Sequence, residues 1–166
     1  MATQTYEPIA SITLGAATTS ATFSAIPQTY TDLVVVINAS MVSNASTNNY
    51  YVTYNSDAGT NYSTTYAGGT GSSTSSGRAS SQTRLDIAYQ PSTAIGQIIF
   101  QMQNYSNTTT FKSSISRSSN ATSNITFMYA GLWRSTAAIT SISITTGVAN
   151  NIVSGSTFNL YGIKAA

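Results

Sequence analysis

Asp32-Leu33-Val34-Val35-Val36-Ile37-Asn38-Ala39-Ser40-Met41 contains the longest aliphatic run of the chain, Leu33 to Ile37. In an extended strand, successive side chains point to opposite faces. Leu33, Val35 and Ile37 then share one face, and Val34 and Val36 share the other. Apolar side chains on both faces mark a central strand that is covered on both sides. The expected covers are a second sheet on one face and a neighbouring chain on the other. The run is far too short to cross a bilayer.

Period-two alternation extends in both directions from this segment, with no helical stripe. Upstream, residues 6–14 and 19–24 are predicted strands. They are followed by the turn Ile26-Pro27-Gln28-Thr29-Tyr30, where Pro27 fixes φ and removes a donor. Downstream, residues 49–55 and 61–67 are tyrosine-rich strands around the turn Ser56-Asp57-Ala58-Gly59. Residues 68–81 are predicted to be a flexible Gly/Ser loop, because such a composition cannot bury enough surface to order itself. Residues 82–89, 97–104, 110–117, 125–133, 139–145 and 157–163 complete the strands. Turns are expected at 91–96, 104–109 and 118–124, and a loop at 147–155. About ten short strands at sandwich spacing predict one all-β domain over residues 1–166. The expected architecture is an antiparallel β-sandwich, jelly-roll-like, a fold common in capsid and lectin domains.

Only 6% of the residues are charged, against about 25% in ordinary soluble domains. Ser, Thr, Asn and Gln supply the polarity instead. A surface poor in Lys and Glu lacks the residues that most oppose burial against another protein. The net charge of +2 comes from Arg78, Arg84, Lys112, Arg117, Arg134 and Lys164 against Glu7, Asp32, Asp57 and Asp86. These charges are scattered, so the clustered phosphate contacts of nucleic-acid binding are not expected. The start, Met1 to Tyr6, has neither a basic nor an apolar signal region. The expectation is synthesis and folding in the cytosol, so that work outside a cell would require release by lysis or as part of a particle.

No enzymatic activity is expected, and no catalytic residue, cofactor or metal ligand is assigned. The chain has no His and no Cys, which removes nucleophile–histidine pairs and ordinary zinc sites. The four carboxylates sit in strand-start and turn contexts, Asp57 as a turn former and Asp32 at a strand edge. Lys112 with Ser113 or Ser114 makes a poor dyad, because adjacent strand residues face opposite ways. Gly68, Gly69, Gly71 and Gly77 lack the lysine and helix of a phosphate cradle. No calcium-loop pattern is present.

The 11 tyrosines carry the most information. Tyr50, Tyr51, Tyr54, Tyr62 and Tyr66 cluster before the Gly/Ser segment, as candidate interface or glycan contacts. Tyrosine gives large area at low entropic cost with a polar tip. The alternative for each is cross-strand pairing within the sheet. Trp133 continues the face of Ile125, Phe127 and Tyr129 and is expected to plug the core or the sandwich end. Arg134 is expected to stack on a ring or pair with a carboxylate.

Several segments resemble small virion structural and tail-fibre-like proteins of tailed phages, marine cyanobacterial ones in particular. They are Tyr6-Glu7-Pro8-Ile9-Ala10, the stretch Ile26 to Val35, Asn104-Tyr105-Ser106-Asn107-Thr108-Thr109-Thr110, Gly131-Leu132-Trp133-Arg134-Ser135 and the ending Gly155 to Lys164. The resemblance covers nearly the whole chain and carries no functional residues. It implies a non-enzymatic protein on the virion surface. The first expectation is a capsid decoration, a head knob or cement protein binding the major capsid protein. No heptad or repeat shaft is present, as a fibre would need. The alternative is the distal receptor-binding domain of a tail fibre holding a host surface glycan for host attachment. Expected partners are the major capsid protein or other virion proteins and further copies of the chain, a trimer among the options. No nucleic acid and no membrane insertion are expected.

Overall fold

A computed structural model describes residues 5–42, 49–89, 93–120, 122, 124–147 and 150–164. Parts of the turn expected at 91–96, the connection at 118–124 and the loop at 147–155 lie outside them. The strands are β1 (Tyr6–Thr13), β2 (Ser20–Phe23), β3 (Asp32–Ala39), β4 (Asn49–Tyr54), β5 (Tyr62–Gly69) and β6 (Thr74–Gln82). They continue with β7 (Leu85–Tyr89), β8 (Gly96–Met102), β9 (Lys112–Asn120), β10 (Ile125–Trp133), β11 (Ile142–Thr146) and β12 (Thr157–Ile163). They form two antiparallel sheets, of order β1-β12-β3-β8-β9-β10-β5-β6 and β2-β11-β4-β7.

Setting aside β5-β6 and β9-β10 leaves eight strands, ordered first-eighth-third-sixth in one sheet and second-seventh-fourth-fifth in the other. That is the wrapping of a jelly roll. The two hairpins are insertions, one between β4 and β7 and one between β8 and β11. Both join the same edge of the larger sheet, beyond β8.

Leu33, Val35 and Ile37 are fully buried between the sheets, with Phe100, Met102, Phe158 and Leu160 beside them. Val34 and Val36 lie on the outer face, where Val34 is buried at 3% exposure and Val36 is partly exposed. Cross-strand register puts Val36, Ile99, Arg117, Met128 and Ala67 in one row there, and Val34, Gln101, Ile115 and Ala130 in the next. Ile115 and Met128 are 39% and 52% exposed. A shallow depression of about 90 Å³ lies between them beside Arg117.

The segment expected to be a flexible loop at 68–81 is instead a hairpin. Thr70 to Ser73 turns the chain, with Gly71 at φ +80°, and β6 pairs with β5 from Gly69↔Thr74 to Tyr62↔Gln82. Its order comes from backbone hydrogen bonds to β5, which need no apolar side chain. β6 is an edge strand, exposed along most of its length.

On β9 the side chains that face inward are polar. Lys112, Ser114, Ser116, Ser118 and Asn120 are buried, while Ile115 points outward. Small side chains let β7 approach closely. Ser116 Oγ donates to the Ile87 carbonyl at 2.8 Å, and the Asp86 N–H donates to Thr64 Oγ1 at 3.4 Å. The free edge of β7 is thus stitched to the larger sheet by side chains. Lys112 and Ser114 share a face, but the Lys112 ammonium donates to the carbonyls of Thr110 and Thr136, at 2.7 and 3.2 Å. Burial pushes its pKa down.

Candidate functional site

β7 packs on β9, β10 and the start of β5, while Tyr66, Phe127 and Tyr129 of the inserted strands lie outside the main core. A cleft of about 220 Å³ opens there. Asn49, Asp86 and Tyr89 line it from the jelly roll, and Tyr66, Phe127 and Tyr129 from the inserted strands, with Thr70 and Ser75 at the hairpin tip. Phe127 and Tyr129 face inward with Ile125, as their alternation predicts, and form a second apolar cluster with Tyr66 and Tyr89.

The aromatic wall is continuous. Ring centroids are 5.0 Å apart for Tyr89–Phe127, 5.8 Å for Tyr66–Tyr129, 5.9 Å for Tyr66–Phe127 and 6.1 Å for Phe127–Tyr129. All are tilted contacts of the kind aromatic pairs prefer. Two glycines make room for it. A Cβ on Gly68 would lie 2.5 Å from the Phe127 ring and 2.4 Å from the Thr126 carbonyl oxygen, and one on Gly77 would lie 2.6 Å from the Tyr66 hydroxyl.

Among the described residues, Asp86 is the only charged one lining the cleft. Asn49 Nδ2 donates to its Oδ1 at 3.1 Å, and its Oδ2 accepts no hydrogen bond among the described residues. Burial raises its pKa, opposed by the Asn49 bond and the Arg84 charge. The Arg84 guanidinium sits 3.5 Å from the centroid of the Tyr51 ring. Burial also raises the Tyr129 hydroxyl, helped by the charge on Asp86.

A half-buried carboxylate whose folded pKa is raised binds protons more readily in the native state. It destabilises the fold above that pKa, and the cost disappears as pH falls below the ordinary value of 3.8. Asp86→Asn keeps an acceptor for Asn49 and removes the charge. It is expected to stabilise the protein by about 1 kcal/mol at neutral pH, a typical gain where a functional group is held against stability. Its advantage over the parent should shrink toward zero as denaturation curves are taken from pH 7.5 down to 3.5.

Of the five clustered tyrosines, Tyr50, Tyr54 and Tyr62 are buried in the main core, at most 1% exposed. They cannot serve as surface contacts. Tyr54 and Tyr62 pack with Trp133, and Tyr62 Oη accepts from the Tyr54 N–H at 3.1 Å. Tyr51 and Tyr66 are partly exposed; Tyr66 belongs to the cleft and Tyr51 lies beside it under Arg84. Sequence reasoning did not select Asn49, Asp86, Tyr89, Phe127 or Tyr129 as contacts.

The other carboxylates have structural partners. Asp57 accepts from the Gly59 N–H at 2.8 Å and from the Trp133 indole N–H at 2.7 Å. The indole bond, more than any other influence, lowers its pKa. Asp32 accepts from the Asn104 N–H at 2.7 Å, and Glu7 pairs with Lys164 at 2.7 Å. Among the described residues Arg134 reaches neither a ring nor a carboxylate. It donates to Ser63 Oγ and, at 2.7 Å, to the Thr60 carbonyl, which ties the start of β5 to the end of β10. Among the described residues no group of three His, Cys, Asp or Glu could hold a metal ion, and no helix is long and apolar enough to cross a membrane. No protein-family model, curated protein or solved structure matches the chain.

Proposed function

We propose that this chain is a non-enzymatic structural protein of a bacteriophage surface, docked on the major capsid protein through the outer face of its larger sheet. The observation that carries the reading is the group of apolar side chains on that face, Ile115 and Met128 exposed and Ile99 partly so, that lies beside Arg117. An apolar centre poor in charge and rimmed by Ser, Thr and Gln is the composition of a protein–protein contact. The occupant follows from the resemblance of Tyr6 to Ala10, Ile26 to Val35 and Gly155 to Lys164 to phage virion proteins. A second reading, the distal receptor-binding domain of a tail fibre, draws on the aromatic cleft.

Purified chain mixed with empty phage heads should co-sediment with them. Met128→Glu puts a charge on a side chain that no core contact holds, and it should weaken capture about tenfold or more without loss of fold. Recovery of the protein only with detached tails would end the capsid reading and favour the fibre.

A further inference from the structure

We infer that the cleft beside β7 is a saccharide-binding site. It takes one neutral sugar residue, stacked on the partly exposed Tyr66 ring and held by Asp86, with the buried Phe127 and Tyr129 rings packed behind Tyr66. The inference rests on the cleft alone and holds wherever on a virion the chain sits.

The ring wall is fixed before any ligand arrives. Its members brace one another, and Gly68 and Gly77 leave the space that Phe127 and Tyr66 occupy. A rigid aromatic surface suits the C–H face of a pyranose, which is apolar, flat and too small to immobilise a floppy pocket. The edge of the same ring is hydroxylated and needs acceptors. Among the described residues the Asp86 carboxylate accepts only the Asn49 bond, on Oδ1, which leaves Oδ2 for a sugar hydroxyl. Thr70 and Ser75 add neutral hydroxyls at the tip. The volume of about 220 Å³ is below that of pockets for drug-sized ligands, which fits a single residue of a longer chain.

The same features reject other ligand classes. Asp86 repels phosphate and carboxylate groups, and the nearby guanidinium of Arg84 is engaged on the Tyr51 ring.

The test is an NMR titration of the full chain. The probes are the methyl glycosides of glucose, galactose, mannose, rhamnose and N-acetylglucosamine, with choline and inorganic phosphate as charged controls. At least one glycoside should shift the amides of β7 and β10 saturably, with millimolar affinity. Asp86→Asn should weaken that binding about tenfold, the loss of one charge-assisted hydrogen bond. Tyr66→Ala should weaken it at least about fivefold. The Asp86 variant is isosteric and keeps the fold, so the result does not depend on the Tyr66 variant folding. No saturable shift with any glycoside, binding unchanged in the Asp86 variant, or saturation by choline or phosphate in place of the sugars would each overturn the inference.

Discussion

Trp133→Ala is expected to cost about 3–5 kcal/mol of unfolding free energy, the range for deleting a large aromatic side chain from a core. For a chain of this length that corresponds to a fall in Tm of about 10 °C. The indole is 2% exposed and lies against the rings of Tyr54 and Tyr62, at centroid distances of 5.3 and 6.3 Å. Tyr54 in turn stacks on Phe100 at 6.5 Å, so the cavity would open at a junction of β4, β5, β8 and β10. The indole N–H also anchors the Asp57 turn, and Trp133→Phe separates the two contributions. It keeps most of the volume, loses the bond to Asp57 and should cost about 1–2 kcal/mol. Asp57 provides a sign test. Its folded pKa is lowered, so its contribution is present above the unfolded value and is lost as pH falls through the folded one. In the Phe variant that pKa should move back toward 3.8, which carboxyl NMR would follow.

Gly162→Val is the second large effect, and it runs against strand propensity, which by itself favours valine over glycine by about 1 kcal/mol. Gly162 lies on β12 between Glu7 of β1 and Leu33 of β3. The Tyr30 ring lies flat on it: a Cβ at 162 would stand 2.3 Å from the ring's Cγ and 2.4 and 2.5 Å from its two Cδ atoms. Tyr30 also donates to Glu7 Oε2 at 3.2 Å and packs against the main core. Any side chain at 162 drives the ring outward, with an expected loss of about 2–4 kcal/mol. Gly162→Ala should lose nearly as much, since the first carbon makes the clash. The control is a double-mutant cycle. In a Tyr30→Ala background, Gly162→Ala should become neutral or stabilising. A valine variant as stable as the parent in urea denaturation would refute the account.

These contacts also explain what the sequence reveals and what it hides. The strands at 125–133 and 157–163 match β10 and β12 residue for residue. Each buries one face of large apolar side chains, Ile125, Phe127, Tyr129 and Trp133 on β10 and Phe158 and Leu160 on β12, so the register is determined. β6 has no buried face, hence no period to find, and its order is invisible until its partner is known. β9 inverts the ordinary rule. Ser114, Ser116 and Ser118 face inward, with Ser116 bonded to the backbone of β7, so polarity alone points the wrong way there. Among the tyrosines, parity could have sorted the cluster: Tyr50 and Tyr54 share a face with the buried Val52, and Tyr51 does not. The cleft itself could not be read. It depends on residues 49, 66, 86, 89, 127 and 129 meeting across two insertions, and nothing local encodes that meeting.

The stitching of β7 leaves the molecule with unequal borders. β1 carries Pro8 and an irregular register, β2 is only four residues long, and β7 is closed by Thr64 and Ser116. β6 is nine residues long, has Arg78 as its single charge, and shifts register only near its end, between the Tyr62 and Thr64 pairings. Strand edges without Pro, bulk or charge are where foreign backbone adds to a sheet. Lateral growth, whether into an ordered array of copies or an unwanted fibril, would therefore begin at β6, and a lysine or proline placed there is the direct way to stop it.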